Sequence, residues 1–147
     1  MKQFESTRTE LLNLVNVQIA NDRLFPLEQM SVGGRYHVRG YRENTLLRDN
    51  CLVYQLESRF QLWSSKKGFP SLQFCPFADV GHSWAAKGSV GDVHTLASVG
   101  AGLRFNLSPL INLNVYWGHR LVTKNVSNPH DSLQDEGVHF QFALNLW

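Results

Sequence analysis

The segment YHVRGYREN, residues 36–44, sets two arginines and a glutamate about a glycine and a tyrosine: Arg39, Gly40, Tyr41, Arg42 and Glu43. A guanidinium is always charged and presents its N–H donors as a planar fork, so the chemistry on offer is directional recognition of a carboxylate. Two other segments place charge at a regular spacing. Glu57 and Arg59 stand two residues apart, and PFADVG, residues 76–81, carries Asp79 between Phe77 and Gly81. On residue type alone Arg39 reads as a solvated loop arginine, with Arg42 and Glu43 as ordinary loop charges. Glu57 and Arg59 either join one network or simply solvate a wet surface.

No set of residues suits catalysis. The six histidines are scattered without metal-ligand spacing. Ser83 follows His82 but has neither a nucleophile elbow nor an evident acid partner. GAGLRF, residues 100–105, lacks the third glycine and the strand-to-helix setting of a nucleotide loop; Gly100 and Gly102 are expected to make room beside the loop instead. No catalytic residue, no metal site and no cofactor is predicted, and the chain is read as not an enzyme.

Composition narrows the classes further. The 147 residues suffice for one domain. A net charge of +2 with 18% charged residues gives no basic footprint, so no nucleic-acid partner is expected. No run of eighteen apolar residues suits a transmembrane helix. The opening MKQFESTRTE has no apolar stretch, and no signal peptide is expected in it.

The elements that must position these charges show a period of two. In residues 51–62 Leu52, Tyr54, Leu56, Phe60 and Leu62 alternate with Val53, Gln55, Glu57, Arg59 and Gln61. The same alternation fills residues 72–81, 93–105, 111–121 and 138–146, and less regularly 9–20 and 31–38. The expectation is seven strands and no helix. Most run about 9–13 residues, against roughly 5–6 for a soluble strand and 9–11 for one crossing a bilayer. FNLSPL, residues 105–110, is a tight turn, while 81–92 and 122–136 are long and polar, as in an outer-membrane barrel. Trp63 and Trp147 fall at the short-turn end and Trp84 at the other, as interfacial girdles would.

Periodicity does not say which face is wet, and a soluble barrel would alternate likewise. The glycine-rich polar face with both charge signs favours a water-filled lumen. Seven strands leave open edges, which hydrocarbon does not tolerate, and single-chain barrels use even numbers. The predicted fold class is therefore an all-β, antiparallel transmembrane β-barrel portion. Cys51 and Cys75 are placed about seven positions out of register, roughly 20 Å at about 3.3 Å per residue, and two free thiols are predicted.

VRGYRE at 38–43 together with F-x-D-x-G at 77–81 resembles the Omp85 superfamily. The closer resemblance is to the outer-membrane transporters of two-partner secretion, the haemolysin secretion/activation family. LEQMSVGGRYHVRGYRE, LASVGAGLRF, NVYWGHRL and the final LQDEGVHFQFALNLW carry that narrower match, which runs from about residue 8 to the C-terminus. The resemblance implies a sixteen-stranded barrel preceded by POTRA domains and a signal peptide. Its arginine motif lies between strands eleven and twelve and its aspartate on strand thirteen. Counting back from the C-terminus makes residues 1–147 strands ten to sixteen, with the earlier barrel, POTRA domains and signal peptide missing.

It further implies that the loop folds into the lumen and that Arg39 pairs with Asp79, Gly40 permitting the sharp path and Tyr41 packing on the wall. Phe77, Gly81, Glu57 and Arg59 support it. The implied function is translocation of a large haemolysin- or adhesin-type exoprotein across the cell outer membrane. The implied partners are that cargo, outer-membrane lipid and the barrel assembly machinery. The end of the chain, with Phe140, Phe142, Leu144 and Leu146 alternating before Trp147, looks like an assembly signal, although Leu146 rather than Trp147 holds the lipid-facing phase. The alternatives are a soluble β-barrel ligand-binding module and an inert truncated gene product.

Overall fold

The computed structural model describes residues 9–65, 68–87, 93–122 and 136–144. Six strands form one antiparallel sheet: β1 (Thr9–Gln18), β4 (Asn50–Ser64), β5 (Ser71–Trp84), β6 (Val93–Asn106), β7 (Ile111–Arg120) and β8 (Val138–Leu144), in that spatial order. Two three-residue strands, β2 (Met30–Val32) and β3 (Leu46–Arg48), make a separate ribbon between β1 and β4. No helix forms among the described residues.

The sheet therefore has six strands among the described residues where the sequence suggested seven. Residues 31–38 alternate like a strand, but only their first two residues are extended. Gly33 and Gly34 follow at φ 113° and 92°, a left-handed region that ends the strand and turns the chain. The candidate second strand thus belongs to a long connection, residues 19–49, and β1 pairs directly with β4 from Thr9↔Phe60 to Gln18↔Cys51.

The two faces of the sheet are inverted relative to a soluble protein. Leu52, Val99, Leu103, Val115, Trp117, Phe140 and Phe142 lie exposed, Leu103 by 47% and Phe142 by 63%. Their neighbours on the other face, Gln55, Glu57, Asp79, Ser98, Asn114 and His139, are buried. A contiguous apolar band outside and a covered polar face inside is the arrangement hydrocarbon stabilises and water does not. A bulge between Gln61 and Trp63 breaks the alternation near the end of β4, and both Leu62 and Trp63 face out. The pairing sets Cys51 opposite Ser83, eight positions along β5 from Cys75, and both thiols are free.

The sheet curls around the connection that follows β1. Arg39 bonds to β4 and β5, while the adjoining Gly40 bonds to β8. In a flat sheet β4 and β8 would lie about 19 Å apart, four spacings of roughly 4.8 Å. The order runs open from β1 to β8, each paired on one side only among the described residues.

Candidate functional site

The site is the connection 19–49 seated on the concave inner face. Its base is apolar. Val32, Val38, Tyr41 and Leu46 close on Cys51 and Val53 of β4 and Leu96 of β6 in one buried cluster. Gly81 of β5 makes this contact possible, because a Cβ there would meet Val32 Cγ1 at 2.5 Å and Val38 Cγ2 at 2.8 Å. Apolar side chains turn inward at this level because the loop supplies a dry partner for them.

Above the cluster, Asp49 gathers separate segments. Its carboxylate accepts the Leu24 N–H at 2.9 Å, the Ala86 N–H at 3.0 Å and Gln29 Nε2 at 3.0 Å. Next to it, Asn50 Oδ1 accepts the Ala20 N–H at 2.6 Å. Asp49 lies between strands, and these bonds, that from Leu24 first, hold its pKa below the ordinary carboxylate value.

The tip of the loop is polar. Arg39 Nε and Nη2 donate to Asp79 Oδ2 and Oδ1, both at 2.8 Å, and the Arg39 backbone N–H adds a third bond to Oδ2 at 3.0 Å. Nη1 pairs with Glu57, whose other oxygen accepts from Arg59 Nε at 2.8 Å. Two cations and two anions thus form a neutral quartet. The guanidinium carbon also sits 3.7 Å from the centre of the Phe77 ring and 5.1 Å from that of Tyr116, the two rings meeting edge to face. Burial alone would lower the Arg39 pKa; the bonds to Asp79, then to Glu57, outweigh it and raise it. Arg39, Glu57 and Asp79 are all at most 5% exposed, so none is a screened surface charge.

Beside this fork the backbone itself touches the wall. Gly40, at φ 90°, lies against Gly118 of β7, where a Cβ would meet Gly40 N at 2.8 Å and Cα at 2.9 Å. The Gly40 N–H donates to His139 Nε2 at 3.1 Å, so that nitrogen presents a lone pair. Tyr41 is fully buried, and its hydroxyl donates to the carbonyls of Ala97 at 2.9 Å or Val122 at 2.7 Å. It caps the place where β6–β7 pairing ends at Ser98↔Arg120.

Of the residues singled out from sequence, Arg39, Gly40, Tyr41, Phe77, Asp79, Gly81, Glu57 and Arg59 all lie around this loop. Glu43 accepts the Arg35 N–H at 2.8 Å within it. Gly100 and Gly102 make room differently from expectation. A Cβ on Gly102 would strike the Tyr116 ring, and one on Gly100 the Trp117 carbonyl and Phe77, so they admit the aromatic rings beneath Arg39 rather than the loop itself. Phe140, Phe142 and Leu144 lie on the outer face of β8, far from the fork in role; Leu146 and Trp147 lie outside the described residues. Gly118, Tyr116 and His139 were not foreseen as site residues. The signal available was a glycine on the inward phase of a strand, which marks close backbone approach.

No match was found among curated proteins or among solved structures. At family level, residues 1–105 match the haemolysin secretion/activation protein ShlB/FhaC/HecB, a span that holds the whole loop, Glu57, Phe77 and Asp79. With 105 of 147 residues matched, the chain belongs to this family of outer-membrane transporters of two-partner secretion, within the Omp85 superfamily.

Proposed function

We propose that this chain forms the C-terminal wall of an outer-membrane pore that passes a large haemolysin- or adhesin-type exoprotein, with the Arg39 loop as a lumenal latch. In the family's strand order its six sheet strands correspond to the eleventh to sixteenth of sixteen, so the chain is part of the pore, its two open edges completed by the preceding strands. Lipid bathes the outer apolar band, and barrel assembly machinery receives the strand that carries Phe140, Phe142 and Leu144. Conduction is passive and uses no nucleotide.

One observation carries this reading: a buried arginine on a loop grips an aspartate of the wall on the polar side of a sheet whose apolar side is bare. Breaking a buried pair by removing one partner costs about 3–5 kcal/mol, because the remaining charge stays buried. In the membrane-assembled transporter that carries this wall, Asp79→Ala is expected to free the loop, so that trypsin cuts after Arg39 and Arg42, and to lower exoprotein release. Unchanged loop protection and unchanged secretion would sink the latch.

A further inference from the structure

Toward the short turns, beyond the row of Cys75, Gly102, Tyr116 and His139 that underlies the Arg39 fork, the inner wall changes character. Register sets Gln61, Gln73, Arg104, Asn114 and Gln141 side by side across the five strands β4 to β8. The next row toward the turns carries Ser71, Asn106 and Asn112. Gln73 Nε2 donates to Gln61 Oε1 at 3.2 Å, Asn114 Nδ2 to Gln141 Oε1 at 3.3 Å and Asn106 Nδ2 to Ser71 Oγ at 3.2 Å. Two buried atoms in the middle of the belt have no partner among the described residues: Arg104 Nε, a donor, and Asn114 Oδ1, an acceptor. They belong to residues directly opposite each other in the β6–β7 pairing.

An amide side chain both donates and accepts, as does every residue of a polypeptide main chain. Four of the five side chains in the belt are amides, which complement an extended backbone of any sequence, and Arg104 adds N–H donors at its centre. The idle Arg104 donor and Asn114 acceptor match one C=O and one N–H. The belt spans about 19 Å across five strands, the length of roughly six extended residues. The loop covers the wall above it, through Val53, Asp79 and Gly81, but Gln61, Gln73, Arg104 and Gln141 remain part-exposed on the inner face.

We infer that this belt is a docking track for an extended, unfolded polypeptide segment, held through its main chain and indifferent to its sequence. The inference rests on the translocation reading and names a lumenal surface along which cargo would pair.

The test installs a photo-crosslinking side chain at position 112 of the membrane-assembled transporter that carries this wall, in phosphatidylethanolamine–phosphatidylglycerol vesicles. The probes are a fluorescent Ser/Thr/Gly peptide and the same peptide with alternate backbone nitrogens methylated. Saturable capture of the first is expected, about tenfold weaker for the second and for Asn114→Leu, as the loss of one or two hydrogen bonds gives. Capture should change little with salt. Equal capture of both peptides, capture abolished by salt, or no response to Asn114→Leu and Gln73→Leu would each overturn the track. Trypsin protection of the Arg39 loop, read on the same samples, reports the latch separately. A protected loop without capture rejects the track alone, and an exposed loop with capture rejects the latch alone. Where the leucine variants do not fold, the two peptides on the wild-type sequence decide the matter.

Discussion

The tip and the base of one loop are held to the same wall by different physics. At the tip, Arg39 and Gly40 make directional bonds to Asp79, Glu57 and His139, and backbone lies on backbone at Gly118. At the base, Val32, Val38 and Leu46 press on Val53 and Leu96 without direction. Directional contacts fix one position and fail together when a partner is removed; apolar contacts weaken by degrees as atoms are trimmed. The two sets adjoin at Val38 and Tyr41, which flank Arg39 and Gly40 in the chain, so separate release of the tip is a property to be measured.

The native thiols report on the two regions separately. Cys51 is fully buried within the base cluster, and Cys75 is fully buried against Phe77 and Tyr116 under the tip. Among variants that separate the two thiols, the largest effect is expected from Gly118→Val. Its Cβ would meet Gly40 N, Gly40 Cα and the Arg39 carbonyl carbon at 2.8–3.0 Å, all backbone, so no rotamer change relieves the clash. The cost should reach or pass the upper end of the roughly 1–3 kcal/mol of an overpacked core. Alkylation of Cys75 and tryptic cleavage after Arg39 should rise sharply while Cys51 stays protected. Equal acceleration at both thiols would show that tip and base open as one unit.

A smaller effect is expected at the base. Val53→Ala removes two methyl groups from the cluster and leaves a cavity, a loss of about 2 kcal/mol. Cys51 should label faster, and Cys75 and the Arg39 loop should stay protected. The comparison fails if the base variant frees the tip as readily as the tip variant does.

Much of this was legible before the structure. Alternation gave the faces of the long strands, because a strand between two solvents must alternate, and the paired VRGYRE and F-x-D-x-G segments pointed to Arg39 and Asp79. What could not be read was the division of the loop. Residues 31–38 keep a strand-like alternation, and nothing local says that Gly33 and Gly34 take left-handed φ and turn the chain away from the sheet. Gly118 and His139 were equally hidden, since the bond from Gly40 to His139 spans 99 residues and depends on the curl of the whole sheet. Cross-strand register, which aligned the amide belt, also needed the pairing of every strand and the bulge near Trp63.

Asp49 extends the comparison to the outer half of the connection and should give the smallest effect. Its carboxylate ties together Leu24, Gln29 and Ala86, so it holds the loop to the segment after β5 independently of both tip and base. A pKa held below the unfolded value of about 3.9 means that the folded state binds the proton less readily. The stabilisation is therefore present above about pH 4 and is lost as pH falls through the lower folded value. Hydrogen exchange at the Leu24 and Ala86 amides, corrected for intrinsic rate, should accelerate together through that acid range in the wild-type chain. Asp49→Asn keeps a neutral acceptor, so the two amides should exchange somewhat faster at neutral pH, by about 1 kcal/mol of lost bonding, and show no such acid step. Should Leu24 respond to acid without Ala86, or the step persist in Asp49→Asn, the outer half would be held by other groups, and the separation of the loop into independently anchored regions would end at Val32.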